Sequence, residues 1–149
     1  MTFRIPVSGD GVFLDNVSVL ATGGASSPYG TWANGTFANG ALTDKTPTGD
    51  PDGDGMTNFQ EFAFGLDPTT GASCNPVTPL IGNQFTYTRD VDSGLNYAVE
   101  FSTDLAGWAT AASTDDGGST PDANGVQIVT VKVTNEPLNG KLFVRVRAE

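Results

Sequence analysis

The feature that most constrains this chain is an aspartate- and glycine-rich run from Asp50 to Glu61. The run fits the pattern D-x-[DN]-x-[DN]-G-x5-E at every fixed position, and an amphipathic segment follows it at once. Carboxylates at alternate positions of one turn repel each other unless a cation lies among them. The pattern is that of an EF-hand loop, so the sequence predicts a single Ca²⁺ site rather than a solvated turn.

Each position of the loop has a predicted task in holding the ion. Alternating aspartates turn three carboxylates inward, Gly55 permits the sharp bend, and Glu61 closes the shell with two oxygens. Met56 offers its backbone carbonyl, and Asn58 ligates directly or through water. Ca²⁺ is favoured over Mg²⁺ because a bidentate glutamate suits the larger ion. The predicted ligands are Asp50, Asp52, Asp54, Met56, Asn58 and Glu61.

Two further aspartates flank the loop and could add oxygens to it. Asp44 precedes the loop and Asp67 follows it. Aspartates in such positions more often cap a helix or close a turn, so that role is favoured for both, with ligation as the alternative.

Composition divides the chain into four parts. Residues 1–22 alternate and predict a β-strand, and residues 23–28 read as a Gly/Ser/Pro linker. Residues 29–70 show helical spacing on both sides of the loop, and residues 71–149 alternate between turn signals. The predicted fold class is mostly β: an immunoglobulin-like β-sandwich plus a single EF-hand-like helix–calcium loop–helix.

Within these parts the periodicity predicts individual elements. One helix is expected near residues 29–37, and a second at residues 59–66, where Gly65 and Pro68 are stop signals. Four strands are expected at residues 84–89, 95–101, 126–133 and 142–147.

Charge and reactive residues exclude several classes of function. The 17 acidic against 7 basic side chains give a net charge of −10, which disfavours nucleic acid as a partner. The chain has no histidine, so histidine-based general bases, triads and zinc sites are excluded. Cys74 is the only cysteine, so no internal disulfide can form; it is expected to be buried or inert, with a free thiol or an inter-chain bridge as the alternatives. The remaining acidic pairs, at residues 90/92 and 115/116, lie in turn-like contexts without a cleft, so the chain is predicted not to be an enzyme.

The segment from Thr48 to Pro68 resembles the calcium loop and helix of dockerin type I and thrombospondin type 3-like repeats. The preceding helix, which contains Trp32, is similar to one found before this loop in large exported bacterial surface proteins. In those proteins a small immunoglobulin- or fibronectin-like β domain follows, and residues 97–108 are similar to part of it. Residues 13–19 resemble the last strand of a carbohydrate-binding jelly roll. The resemblance implies a secreted protein, extracellular or at the cell surface.

Dockerins, however, bind cohesin through a pair of such loops, whereas this chain carries one. Phe59, at a position where a recognition residue would lie, is better placed for a core. Cohesin binding is therefore not expected. No run of about 18 apolar residues occurs, so no membrane span is predicted. The N-terminus lacks the features of a signal peptide, so either a signal has been removed or the chain is a piece of a longer one.

The predicted function is an extracellular, calcium-stabilised structural or adhesive module. A lone strand at Thr2–Leu20 must pair with something. It adds to the β domain of the next subunit, which would build a head-to-tail filament, pairs with a missing domain, or folds back on its own β domain. The predicted partners are accordingly copies of the same chain or other surface proteins, with glycans as a further alternative.

The alternative function is a non-catalytic carbohydrate-binding or dockerin-like anchoring module of a secreted hydrolase. Sugars would stack on aromatic rings, and the two tryptophans are the leading candidates. Trp32 has helical spacing with apolar neighbours and is better explained by packing of its helix on the β domain. Trp108 follows a turn and is expected in the core rather than at a glycan site.

Overall fold

The computed structural model describes residues 27–36, 44–135, 137 and 140–149. The predicted strand in residues 1–22, most of the linker and Phe37 lie outside them. The elements in the described ranges are helices α1 (Pro28–Thr36) and α2 (Asn58–Phe64), and strands β1 (Gln84–Asp90), β2 (Tyr97–Ser102), β3 (Ala109–Thr110), β4 (Ser113–Asp115), β5 (Val126–Val133) and β6 (Phe143–Ala148). The protein is mostly β, as predicted.

The strands of the described residues form two antiparallel three-stranded sheets. One has the order β1-β5-β4, the other the order β3-β2-β6. In the first sheet β5 pairs with β1 along its length, from Gln84 opposite Lys132 to Asp90 opposite Val126. The segment of residues 77–81 lies beyond β1, where Val77 forms a bridge with Tyr87. Each sheet is therefore organised around one long central strand.

Among the described residues, one apolar cluster joins both sheets and both helices. Alternation along β5 buries Val129, Val131 and Val133 completely. Val144, Val146 and Ala148 of β6 belong to the same cluster. Burial of one such valine side chain contributes about 1.5–3 kcal/mol.

Helix α2 is fixed to both sheets through its last carbonyl groups. Those carbonyls have no partner inside the helix. The Thr88 hydroxyl of β1 donates to the Phe64 carbonyl at 2.7 Å, and the Tyr97 hydroxyl of β2 donates to the Ala63 carbonyl. The Phe64 ring packs edge-on against Tyr97, with centroids 6.2 Å apart. The helix that leaves the acidic loop is thus anchored in the β domain.

The chain leaves α2 at Gly65, as the stop signal predicts. Gly65 has φ = 66°, in the left-handed region that favours glycine. A Cβ atom there would lie 2.5 Å from Cγ2 of Val126, the first residue of β5. Conformation and close packing both require glycine here.

Helix α1 packs on α2 through aromatic rings. Tyr29 stacks on Phe59 at a centroid distance of 5.4 Å and meets Phe62 edge-on at 5.5 Å. Phe59 is buried in the core, as predicted. Trp32 contacts the rings of Tyr29 and Phe62 and packs against the shared apolar cluster. Trp32 therefore packs α1 against α2, and its packing on the β domain stays a prediction.

One expectation needs correction. Trp108 is half-buried and lies outside the apolar cluster, with the Arg145 guanidinium 4.3 Å from its ring centroid, so its predicted core position is wrong. Trp108 lies outside helices and strands, where sequence periodicity carries no information about burial. Cys74 is free and half-buried, and its expected inertness stays a prediction. No helix of the described ranges is long and apolar enough to cross a membrane.

Candidate metal centre

The acidic loop is curled by hydrogen bonds from its own backbone to its aspartates. Asp50 accepts from the N–H groups of Gly53 and Gly55, at 2.9 and 3.1 Å. Asp54 accepts from the Met56 N–H at 2.7 Å. Gly55 has φ = 95°, which confirms the predicted bend at this residue. The bonds hold the loop closed and direct its carboxylates to one side.

Three of the predicted ligands converge. Asp50, Asp52 and Asp54 each offer a carboxylate oxygen, and these oxygens lie within 4.8 Å of one another. Two oxygens bound to one Ca²⁺ at about 2.3–2.6 Å can be at most about 5 Å apart. The three aspartates are therefore close enough to share an ion.

The loop also contains buried oxygens that have no hydrogen-bond partner. They are Oδ2 of Asp52, Oδ2 of Asp54, Oδ1 of Asn58, and both Oε atoms of Glu61. An acceptor that is buried without a partner costs about 1–3 kcal/mol. None of the salt bridges among the described residues reaches the loop. Five electron-rich oxygens without a donor fit a hard cation with oxygen ligands, and they are the strongest argument for an ion here.

Asn58 is held so that only its oxygen is left for a ligand. The residue is fully buried, and its side-chain NH₂ donates to the carbonyls of Asp44 and Thr46 at 3.0 and 2.9 Å. Its own backbone N–H donates to the Gly49 carbonyl at 2.7 Å. The segment before the loop thus orients Oδ1, which the sequence motif alone could not reveal.

The start of α2 fixes the position of Glu61, the last residue of the loop. Thr57 is the N-cap, and its hydroxyl accepts the Gln60 N–H while the Gln60 side chain accepts the Thr57 N–H, forming a capping box. Sequence reasoning missed this box, although the T-x-x-Q spacing at residues 57–60 signals it. The cap sets the first turn of α2, in which Glu61 is fully buried.

Burial raises the pKa of Glu61 from 4.5 to about 8. The second cause is the negative charge of Asp52, Asp54, Asp50 and Asp67, in decreasing order. An ionised carboxylate in this position is disfavoured by both effects. A divalent cation removes both, because it replaces the lost solvation and reverses the local charge.

The two flanking aspartates accept hydrogen bonds that stabilise local turns. Oδ1 of Asp44 accepts from the Thr46 N–H at 2.9 Å and from its hydroxyl at 2.6 Å, which lowers the pKa of Asp44. Oδ1 of Asp67 accepts from the same two groups of Thr69, at 3.0 and 2.7 Å. The favoured turn role is therefore confirmed for both. Asp67 still acts on the loop at a distance, through its charge on Glu61.

Met56 connects the loop to the core. Its side chain packs against the apolar cluster, and its N–H donates to Asp54. Ligation by its carbonyl stays a prediction, as does the complete ligand set. The structure brings the three aspartates together, whereas Glu61 lies outside the group of carboxylates whose oxygens are all within 4.8 Å of one another. The oxygens of Asn58 and Glu61 are buried without partners.

The other acidic pairs are engaged in turns. Oδ1 of Asp90 accepts from the Asp92 N–H at 2.8 Å, and burial raises the pKa of Asp90. Asp115 and Asp116 accept from the N–H groups of residues 117 and 118, at 3.1 and 2.9 Å. These contacts give the pairs a local structural role.

Comparison with known proteins adds no relative. No family model, no curated protein and no solved structure matches this chain. The resemblance of the loop segment to dockerin type I and thrombospondin type 3-like repeats therefore stays a prediction that rests on the motif. The site is characterised by its own atoms, above all by the five buried oxygens.

Proposed function

We propose that this chain is a non-enzymatic, extracellular structural or adhesive module whose fold is held by one Ca²⁺ in the loop from Asp50 to Glu61. The observation that carries the proposal is the set of five buried, unpartnered oxygens in that loop. Bound calcium would supply the positive charge that these oxygens lack. The oxygens of Asn58 and Glu61, together with one from each aspartate, would supply six ligands, within the usual range of six to eight.

A structural role, rather than a sensor role, is supported by the surroundings of α2. Phe62, Ala63 and Phe64 are buried in the shared core. The end of the helix is hydrogen-bonded to Thr88 and Tyr97, one from each sheet. A helix held in this way cannot swing out to open a groove without breaking the core. Calcium would fix the loop to the β domain, in place of the internal disulfide that a single cysteine cannot form.

We further propose an immunoglobulin-like topology for the β domain and an EF-hand-like arrangement for α1, the loop and α2. Constant-type immunoglobulin domains have strands ABED in one sheet and CFG in the other. The order of residues 77–81, β1, β5 and β4 corresponds to ABED. The order β2-β6, with the short β3 on the other side of β2, corresponds to CF. The EF-hand-like reading is supported by the ring contacts of Tyr29 with α2.

The extracellular part of the proposal rests on the sequence resemblance and on calcium supply. Extracellular modules bind Ca²⁺ with dissociation constants of about 10⁻⁴–10⁻³ M, which suits a structural ion in a calcium-rich medium. The alternative of a carbohydrate-binding module is not favoured by the aromatic residues. Arg145 covers one face of Trp108, and Trp32 packs between the helices.

The test is a calcium titration of the chelator-treated chain by calorimetry. We expect one Ca²⁺ per chain and a higher melting temperature in calcium than in chelator. Asp54→Asn keeps an oxygen for the Met56 N–H and removes one charge from the site, so affinity should fall about tenfold or more.

Asp104→Asn is the matched control. Asp104 is exposed and accepts from the N–H groups of Ala106 and Gly107 in the same kind of turn, away from the loop. Its substitution should leave calcium affinity unchanged. Equal melting temperatures in calcium and chelator, for a wild-type chain that binds no calcium, would refute the proposed function.

A further inference from the structure

Strand β6 is paired on one side only among the described residues. It pairs with β2 along its six residues, and no described strand lies on its other side. The corresponding side of β1 is occupied by residues 77–81, and the outer strands β3 and β4 have only two and three residues. Within the described ranges, β6 therefore presents the longest open sheet edge.

The phase of the ladder identifies the backbone groups on this edge. Asn96 and Glu149 exchange two hydrogen bonds, with N to O distances of 2.8 and 3.0 Å. In an antiparallel ladder, such pairs alternate with pairs whose N–H and C=O groups point away from the partner strand. Val144, Val146 and Ala148 fall on these alternate positions. Three N–H and three C=O groups consequently point to the open edge.

Strand β6 lacks most of the features by which proteins block sheet edges. Proline, a bulge, a very short strand or charged side chains, above all inward-pointing ones, usually prevent another strand from adding. In β6 the inward side chains are Val144, Val146 and Ala148, which are buried. The charges of Arg145 and Arg147 lie on the outer face, at 2.6 and 3.5 Å from the Glu100 carboxylate. The edge is thus suited to receive a strand.

The start of the described chain lies close to one end of this edge. Pro28 lies against Gly94, since a Cβ atom on Gly94 would be 3.8 Å from Cγ of Pro28. Gly94 is two residues from Asn96, which pairs with Glu149 at the end of β6. The polypeptide therefore enters the described structure next to the last residues of the open strand.

A strand-like segment precedes this entry point at a short distance along the chain. Residues 12–20, VFLDNVSVL, are rich in β-branched and other apolar residues and contain no proline or glycine. Residues 21–27 connect them to Pro28, and seven residues can span about 24 Å. A tether of this length keeps the segment at an effective concentration of about millimolar, which favours it over the same segment of a second molecule.

We propose that residues 12–20 pair with the open edge of β6 in their own chain, as the fourth strand of the sheet β3-β2-β6. The added strand satisfies the outward N–H and C=O groups of Val144, Val146 and Ala148. It occupies the position next to β6 that the seventh strand takes in a constant-type immunoglobulin sandwich. The pairing does not depend on the identity of the ion in the loop.

The test is amide hydrogen exchange, detected by NMR, on a dilute sample of the full chain in calcium. We expect slow exchange for the amides of Val144, Val146 and Ala148, comparable with those of Arg145 and Arg147, which bond to β2. Val17→Pro removes a ladder donor and distorts the added strand. It should speed exchange of the three outward amides about tenfold or more and leave the two arginine amides slow.

Ala25→Pro, in the connecting residues, is the matched control and should leave all five amides slow. Exchange of the three outward amides that is already fast in the wild-type chain would overturn the proposal. So would protection that depends on protein concentration, together with dimers or longer species in sedimentation, because a second molecule would then donate the strand. Since the measurement does not involve calcium affinity, its failure is distinguishable from failure of the proposed function.

Discussion

Replacement of Glu61 by glutamine should change stability in opposite directions with and without calcium. In the absence of an ion, the wild-type carboxyl is fully buried, and its pKa is raised to about 8 by burial and by the neighbouring aspartates. Its pKa in the unfolded chain is 4.5. The folded state therefore binds the proton more tightly, and Glu61 lowers the free energy of unfolding increasingly as pH rises from 4.5 to 8.

The size of this effect follows from the two pKa values. At pH 7 the Glu61 carboxyl is ionised in the unfolded chain but mostly protonated in the ion-free folded protein, because its pKa there is about 8. Taking up this proton on folding costs about 3 kcal/mol at pH 7, and about 2 kcal/mol more at pH 8 than at about pH 6. Glu61→Gln removes the titrating group with little change of shape. In chelator at pH 7 the substitution should raise the free energy of unfolding by up to about 3 kcal/mol, with a gain that grows between about pH 6 and pH 8.

In saturating calcium the same substitution removes two ligand oxygens of the proposed site. We expect it to lower stability, because the variant loses most of the ion's binding energy. The assay is urea unfolding of the wild-type and variant chains in chelator and in calcium, at several pH values. Glu149→Gln, at an exposed position, is the control and should change little in either condition. A variant that is destabilised in chelator as well as in calcium would refute the reasoning.

Three further predictions concern calcium removal and the two ends of α2. A hundredfold excess of calcium over the dissociation constant should add about 2.7 kcal/mol to the free energy of unfolding. Calorimetry should then show a melting temperature about 10 °C higher in calcium than in chelator. A shift below about 2 °C, roughly the error of the method, would contradict a structural ion. Gly65→Ala should lower the free energy of unfolding by about 1–3 kcal/mol, because residue 65 has a left-handed backbone conformation and its new Cβ would collide with Val126. Gly107→Ala, with open space around it, is the control and should be nearly neutral; equal effects of the two substitutions would exclude this packing argument. Thr57→Ala should cost about 1 kcal/mol in urea unfolding through loss of the capping box with Gln60, and Thr57→Ser should restore most of it; no difference between the two variants would count against the cap.

Much of the secondary structure could be predicted from sequence periodicity. The four long strands lie within two residues of their predicted limits, since alternation over six to eight residues is a strong signal. The helices were predicted at the right places, and the second ends at the expected glycine. Strands β3 and β4 were not predicted, because two or three residues carry no period.

The positions of isolated aromatic residues could not be predicted. Trp108 contacts Arg145, a residue 37 positions later. Trp108 immediately precedes β3, and β3 and β6 pair with β2 from opposite sides, which brings the two residues together. Trp32 meets Phe62 because the loop folds α1 back onto α2. Such contacts depend on which elements become neighbours, and no local pattern carries that information.

The sequence by itself determined the acidic loop and its candidate ligands, because the ligand positions of an EF-hand loop fall within one short, continuous segment. Alternation with Gly55 at the bend is enough to bring the three aspartates together. Only the tertiary structure decided that the oxygens of Asn58 and Glu61 are buried without partners. Their burial depends on the segment before the loop and on the core that receives α2, and burial is a property of the packed molecule rather than of any segment of it.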